Sequence, residues 1–194
     1  MTSAEERRER LVEVYREVLA CTRCPLAETR TKAVFGAGNA NADLMFVGEA
    51  PGAEEDRRGL PFVGRAGQLL EQLLGEIGMA RSDVFIANVL KSRPPNNRDP
   101  QPAEIEACRP FLDRQIELIE PLIIATLGNF ATKLLSGSQT GITRVRGTPQ
   151  DHVLGGRQVT LFPLLHPAAA LRTPAMKDLL REDFAKLPGL LAQP

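Results

Sequence analysis

Residues 43–52 have the sequence DLMFVGEAPG, an apolar run that ends in glycine and proline. Short apolar runs bounded by such residues are typical of buried strands, and the Gly-Pro pattern marks a tight loop. We therefore predict a buried strand that ends in a loop carrying Glu49.

The segments on either side alternate between helix and strand patterns. Apolar residues recur at helical spacing over residues 4–20 before this strand and over residues 66–77 after it. Farther along come a strand (84–90), a helix (102–119), a strand (122–128), a short helix (129–137), a hairpin turning at Gly155 and Gly156, and a last helix (175–187). This order predicts an α/β fold with a mainly parallel sheet and helices on both faces.

The composition is that of an ordinary globular protein. The chain has 194 residues, 43% of them hydrophobic, and 24 basic residues balance 24 acidic ones. From this size we expect one domain over residues 1–194, and we also expect a monomer. No apolar run approaches the ~18 residues that span a bilayer, and the N-terminus lacks the apolar segment of a signal peptide. We expect a cytoplasmic protein with no membrane partner.

The chain has three cysteines, Cys21, Cys24 and Cys108. This number is small and odd, which does not suit a disulfide framework. The cysteines favour a reducing compartment and a metal site. The zero net charge means that any contact with nucleic acid depends on local patches.

Three unusual loops follow predicted strands. They are GEAPG (48–52), the segment KSRPPNNR (91–98) behind Asn88, and HPAAALR (166–172). Ligands of open α/β sheets bind beyond the carboxyl ends of the strands, so we expect these loops to converge on one crevice.

His166 and Glu49 are the ionisable residues at these strand ends. Pro167 favours an extended or turn backbone at the residue before it, so the His166 ring is expected to point out of the sheet end. A loop hydrogen bond is the simpler explanation for a lone histidine, and it is the only one we assign to His152. The acidic run at 54–56 is expected to be a solvated face.

Taken together, GEAPGAEED, GLPFVGRAG, NVLKSRPPNNRDP and HPAAALR resemble, in order and spacing, the motifs of the family 4 uracil-DNA glycosylases. With CTRC at the front, the likeness extends from about Cys21 to Arg172. It implies a three-layer α/β/α uracil-DNA glycosylase fold with a central, mainly parallel sheet. It also implies a DNA repair enzyme that flips uracil out of DNA and hydrolyses its N-glycosidic bond, so the partner is uracil-containing DNA.

The resemblance assigns two side chains to recognition of the base. Phe62 would stack on the flipped uracil, and Asn88 would bind its O4 and N3 edge, because an amide both donates and accepts. Without the motif context, Phe62 would be a core residue and Asn88 a loop cap.

The resemblance also assigns the catalytic residues. His166, with the backbone of Glu49, Ala50 and Pro51, would bind the uracil, and the His166 ring would donate to O2, where negative charge grows as the bond breaks. The family 1 enzymes have an aspartate where this chain has Ala50. Glu49 is therefore our candidate for orienting the water, with Asp56 a poorer one.

DNA contacts are expected from the loop 166–172 and from the loop behind Asn88. Leu171 would act as the wedge that replaces the flipped base, and Arg172 would bind phosphate. Further phosphate contacts are predicted for Lys91 and Arg93. Lower in rank are three other basic residues on predicted loops, Arg98, Arg144 and Arg146.

The family usually holds a [4Fe-4S] cluster on four cysteines. Cys21, Cys24 and Cys108 fit three of these positions, whereas Ser92 occupies the usual third cysteine position. A four-iron cluster with Ser92 or water on one iron, a three-iron cluster, loss of the metal, and zinc on three cysteines all stay open. If a cluster is present, we expect it to be structural.

Two other functions explain fewer of these residues. A non-catalytic DNA-binding relative would not need Glu49, Phe62, Asn88 and His166 together, and an iron–sulfur electron-transfer protein would leave HPAAALR unexplained. A glycosylase that bonds covalently to the sugar through a histidine between Asn88 and Cys108 is excluded, because no histidine lies there.

Overall fold

The computed structural model describes residues 3–193. Within this range six strands form one sheet: β1 Ala37–Gly38, β2 Leu44–Gly48, β3 Phe85–Asn88, β4 Ile123–Leu127, β5 Gln150–Leu154 and β6 Arg157–Leu164. The helices are α1 Ala4–Ala20, α2 Leu26–Thr29, α3 Ala53–Arg58, α4 Arg65–Glu76, α5 Pro102–Ile119, α6 Asn129–Ser136, α7 Ile142–Val145, α8 Pro167–Ala170, α9 Pro174–Phe184 and α10 Leu187–Leu191. A 3-10 turn, Pro95–Asn97, lies between β3 and α5.

The strand order is β1-β3-β2-β4-β6-β5. The four inner strands run parallel, and the edge strands β1 and β5 pair antiparallel with their neighbours. The predicted mainly parallel sheet is confirmed, and so is the hairpin, whose strands meet at Gly155 and Gly156.

Side chains of β2 alternate between two separate apolar cores, one on each face of the sheet. Met45 and Val47 pack on one face with residues of α1, α5 and α6. Leu44 and Phe46 pack on the other face with residues of α4, α9 and α10. Helices therefore cover both faces, which is the predicted three-layer α/β/α arrangement.

Two predicted elements differ from the structure. The helical spacing over residues 4–20 predicts Tyr15 on the apolar face of α1, but Tyr15 is 44% exposed and meets Phe35 in a T-shaped contact. The predicted last helix is interrupted after Phe184, and α10 starts at Leu187 with Pro188 in its first turn. A proline ring clashes with the carbonyl four residues earlier in a continuous helix, so Pro188 favours the break.

Over residues 3–193, none of the helices combines the length and apolarity that crossing a membrane requires.

Candidate active site

The parallel strands bring the loops that follow them to one edge of the sheet. Gly48 at the end of β2 lies beside Asn88 at the end of β3. Two further hydrogen bonds extend this pairing beyond the strands, from Val89 N to Gly48 O (2.9 Å) and from Leu90 N to Glu49 O (3.0 Å). The GEAPG loop and the loop behind Asn88 are therefore neighbours, as predicted.

Gly48 leaves room for the two side chains that lie over it. A Cβ at this position would be 2.5 Å from Asn88 Oδ1 and 2.8 Å from Cζ of Phe62, closer than any side chain tolerates. The Asn88 amide and the Phe62 ring thus meet above the β2 end.

Asn88 carries an unsatisfied acceptor in this interior. The residue is 2% exposed, and its Oδ1 atom has no hydrogen-bond partner among the described residues. A buried acceptor without a donor is costly, at about 1–3 kcal/mol. Such a group at the end of a parallel strand points to a donor on a bound ligand.

His166 faces the Phe62 ring from beyond the end of β6, which is separated from β2 by β4. The two ring centroids are 5.8 Å apart and the ring planes are tilted by 31°. The strand β6 ends at Leu164, so His166 lies beyond it as the N-cap of α8 rather than as the last strand residue that the sequence predicted.

The hydrogen bonding of His166 fixes its tautomer. The Ala168 N–H donates to His166 Nδ1 at 3.0 Å, so Nδ1 is the acceptor and the ring proton resides on Nε2. Burial lowers the pKa of His166 below its usual value, and a charge on Glu55 opposes this shift only in part. The ring is therefore a neutral Nε2–H donor near pH 7.

A cavity of about 750 Å³ opens beside this cluster, lined by both Glu49 and His166. Burial raises the pKa of Glu49, and the negative charge of Asp99 on the same cavity wall raises it further. Of the other GEAPG residues, Pro51 is buried and Ala50 packs against the core on the α1 side of the sheet.

Sequence analysis missed several residues of this cavity. Asp99 and the polar side chains of the α6 region, Asn129, Lys133 and Gln139, also line it. Asn129 begins α6 directly after the end of β4, so the strand-end rule used for the other loops would have found it.

The acidic run after GEAPG is not the solvated face that we predicted. Glu55 is half-buried, and its Oε1 accepts from the backbone N–H groups of Val63 (2.9 Å) and Gly64 (3.0 Å). Asp56 is buried and accepts from Thr31 N at 2.8 Å, which removes it as a candidate for orienting water. Only Glu54 of the three is exposed.

The predicted DNA contact of Lys91 is wrong, because Lys91 is 2% exposed. Its ammonium group donates to Asn88 O (2.8 Å) and to Gln115 Oε1 (2.7 Å), and burial lowers its pKa to about 7. Lys91 therefore supports the Asn88 backbone from the interior and cannot reach a phosphate.

Two of the other basic residues form ion pairs with buried carboxylates. Arg98 forms a bidentate pair with Glu104 (2.6 and 3.0 Å), and Arg146 binds Asp183, which is fully buried. These pairs anchor loops and weaken the prediction that Arg98 and Arg146 contact phosphate.

The other predicted DNA contacts are accessible. Leu171 is 39% exposed at the end of α8, and Arg172 beside it is also exposed. Arg93 is half-buried, and its Nε donates to Asn97 Oδ1 at 2.8 Å.

The predicted metal ligands lie in one region of the structure. Cys21 and Cys24 pack against the core that contains Cys108, and negative charge on either thiol would raise the Cys108 pKa, which burial already raises. Ser92 is buried, and its Oγ accepts from Arg30 Nη1 at 3.0 Å.

The arrangement of these donors differs from that of a single-ion site. Between residues 3 and 193, no group of three or more His, Cys, Asp or Glu side chains is arranged to hold one metal ion. A cluster differs because its own iron–sulfur cage separates its ligands. The three thiols lie in one region, and the segment that carries Ser92 contacts Cys108 through the Lys91 N–H (3.4 Å to Sγ).

Comparison with known proteins identifies the family. The model of the uracil DNA glycosylase superfamily matches residues 35–187. A type-4 uracil-DNA glycosylase of Thermotoga maritima is 49% identical, covering 95% of this chain and 96% of its own length. Type-4 uracil-DNA glycosylases of Sulfurisphaera tokodaii (48% identical; 95% of this chain, 86% of the relative) and Saccharolobus solfataricus (49% identical; 91% and 84%) align similarly.

Because the superfamily model spans most of the chain and these relatives align over nearly all of it at almost half identity, the chain belongs to the type-4 uracil-DNA glycosylases.

Proposed function

We propose that this chain removes uracil from DNA by hydrolysing the bond between the base and its deoxyribose. The observation that carries this proposal is the partnerless, buried Asn88 Oδ1 beside the Phe62 ring and the neutral His166 donor. Family membership supports the same activity.

Recognition of the base follows from the polarity of its edge. Uracil N3–H would donate to Asn88 Oδ1, the atom that lacks a partner, while the Asn88 amide nitrogen would donate to O4. Cytosine has the opposite polarity at both positions and would leave the buried amide unpaired. Phe62 would offer its ring as the stacking surface for the flipped base.

Cleavage follows from the placement of His166. As the glycosidic bond breaks, its electron pair moves onto the uracil ring, and the His166 Nε2–H would donate to O2 as charge accumulates there. The neutral tautomer leaves this proton in place and keeps Nδ1 bound to the Ala168 N–H. The backbone at Glu49, Ala50 and Pro51 would line the same end of the pocket.

The sugar cation is then captured by water. Glu49 lines the cavity with His166, and its carboxylate would orient a water toward C1′. The water oxygen forms the new bond to C1′, and its proton leaves to Glu49 or to solvent. Asp99, on the same wall, raises the proton affinity of Glu49 and so favours this step.

DNA binding would use the exposed end of α8. Leu171 is an exposed apolar side chain next to the exposed Arg172, which suits a wedge with a neighbouring phosphate contact. Arg93 would add a second phosphate contact from the loop behind Asn88.

We further propose that Cys21, Cys24 and Cys108 hold a [4Fe-4S] cluster, with Ser92 at the fourth position. When bound, the cluster would supply a cross-link between the end of α1 and the loop behind Asn88. The Arg30 guanidinium donates to Ser92 Oγ and would favour its deprotonated, iron-binding form.

Replacing the weak fourth ligand tests this assignment. Ser92→Cys is expected to raise the iron content per chain, because a thiolate binds cluster iron more firmly than a serine oxygen does. Iron and protein are quantified on anaerobically purified samples. The matched control is Ser82→Cys, an exposed thiol on the loop before β3, which should leave the iron content unchanged. Equal iron in wild type and Ser92→Cys would count against Ser92 as the fourth ligand.

Product analysis tests the proposed reaction class. With a uracil-containing oligonucleotide, mass spectrometry should detect free uracil and a strand that carries an intact abasic site. A strand trapped on the protein by borohydride would instead indicate a covalent sugar intermediate and contradict hydrolysis.

We also propose a cytoplasmic location. The three cysteines are free thiols in the structure, which suits a reducing compartment.

A further inference from the structure

The backbone of Phe62 adopts a conformation that needs external support. Its φ of 49° lies in the left-handed region, which non-glycine residues with bulky side chains rarely occupy. Such a conformation persists only where surrounding contacts enforce it, and it occurs often at ligand sites. Neither Pro61 nor Phe62 belongs to a helix or strand, so the hydrogen bonds of regular secondary structure do not hold this conformation.

Arg81 provides this support from the loop between α4 and β3. Its Nη1 donates to Phe62 O at 2.8 Å, and its Nη2 donates to Pro61 O. One planar guanidinium therefore holds two consecutive carbonyl groups of the turn, a fork geometry that lysine cannot reproduce.

Glu55 holds the same turn from its other end. One carboxylate oxygen accepts from the N–H groups of both Val63 and Gly64. Behind the turn, a Cβ at Gly67 would lie 1.8 Å from Phe62 O, so α4 packs directly against the backbone. The turn is fixed on three sides.

We propose that Arg81 is a positioning residue for base recognition, which holds the Phe62 ring in place beside His166 and Asn88. The inference rests on the proposed function, since the ring is useful there only as a surface for uracil. Arg81 also lies on the segment that enters β3, the strand that ends at Asn88. The loop of Arg81 therefore contacts the Phe62 turn and also leads into the strand that carries Asn88.

Loss of the guanidinium would remove one of these three supports and loosen the left-handed turn. The ring would then occupy its stacking position in only a fraction of molecules, and the apparent affinity for the flipped base falls by that fraction. For Arg81→Met we expect kcat/KM on uracil-containing DNA to fall by about 10- to 100-fold, mostly through KM. Arg81→Lys, which keeps the charge but not the fork, should fall between wild type and Arg81→Met.

A double-mutant cycle separates positioning from general stability. In a Phe62→Ala background the ring is absent, so Arg81→Met should cause almost no further loss. The control is Arg181→Met, a surface arginine paired with Glu76, which should leave kcat/KM unchanged in both backgrounds. Equal losses from Arg81→Met with and without the ring, or no loss at all, would overturn the proposal. If Arg81→Met does not fold, Arg81→Lys takes its place in the cycle.

A second readout does not depend on activity. The Phe62 ring shifts the NMR resonances of the His166 ring, 5.8 Å away, and the only other histidine in the chain is His152. In Arg81→Met or Arg81→Lys, the His166 resonances should move toward their values in Phe62→Ala, while those of His152 stay in place. Unmoved His166 resonances would contradict the inference. Wild type that releases no uracil would contradict the proposed function, and the spectra would still decide whether Arg81 holds the ring.

Discussion

His166→Ala is expected to lower the single-turnover rate of uracil release by ~100- to 1000-fold, the usual effect of removing one preorganised donor from a developing anion. The structure gives the reason for an effect of this size. The ring is neutral, half-buried and held by the Ala168 N–H, so its Nε2 proton is already in position before the reaction starts. DNA affinity should be nearly unchanged, because the donor acts mainly in the transition state.

The measurement follows release of labelled uracil with protein in excess over DNA, alongside DNA binding by the same variant. His152→Ala is the matched control, since His152 lies on the edge strand β5 and should be dispensable. An NMR titration of the His166 ring should give a midpoint below the ordinary histidine pKa of about 6.5, because burial disfavours the charged ring. Uracil release by His166→Ala at the wild-type rate would show that the mechanism is wrong.

Asn88→Asp is expected to reduce the preference for uracil over cytosine by at least ~10- to 100-fold, the effect of losing one buried hydrogen bond. An aspartate carboxylate cannot donate to uracil O4, and it accepts from the cytosine amino group instead. The buried position of Asn88 makes this change costly, because water cannot replace the lost donor.

Excision rates on matched oligonucleotides with uracil or cytosine at one position give the uracil-to-cytosine ratio directly. The control is Asn39→Asp, where the side chain accepts from Asn41 N at the opposite end of the sheet and the same change preserves that role. A ratio in Asn88→Asp equal to that of wild type would exclude Asn88 as the base-reading residue.

Periodicity and strand ends predicted the fold and the place of the site. The helix predicted at 102–119 is α5 with the same bounds, because a proline start and a regular apolar face define it locally. Asn88 and His166 lie at the same edge of the sheet because the parallel strands β3 and β6 both end there, a rule that needs no knowledge of distant contacts.

The errors concern charged side chains whose partners lie far away in sequence. The buried Lys91 donates to Gln115, and Arg146 donates to Asp183. Because both partners are distant in sequence, the local pattern could not distinguish these two side chains from solvent-exposed charges. Arg81 was not predicted at all, since its function depends on a backbone conformation of Phe62 that no sequence pattern announces. The single domain, the monomer and the roles of the site residues stay predictions.

We propose above all that the site formed by Asn88, Phe62 and His166 excises uracil from DNA. The most direct measurement incubates the protein with end-labelled oligonucleotides bearing one uracil, thymine or cytosine, then treats them with alkali to break the strand at abasic sites. Breakage at uracil alone is the predicted result. Folded protein of measured iron content that causes no breakage at uracil, in either single- or double-stranded DNA, would contradict the claim.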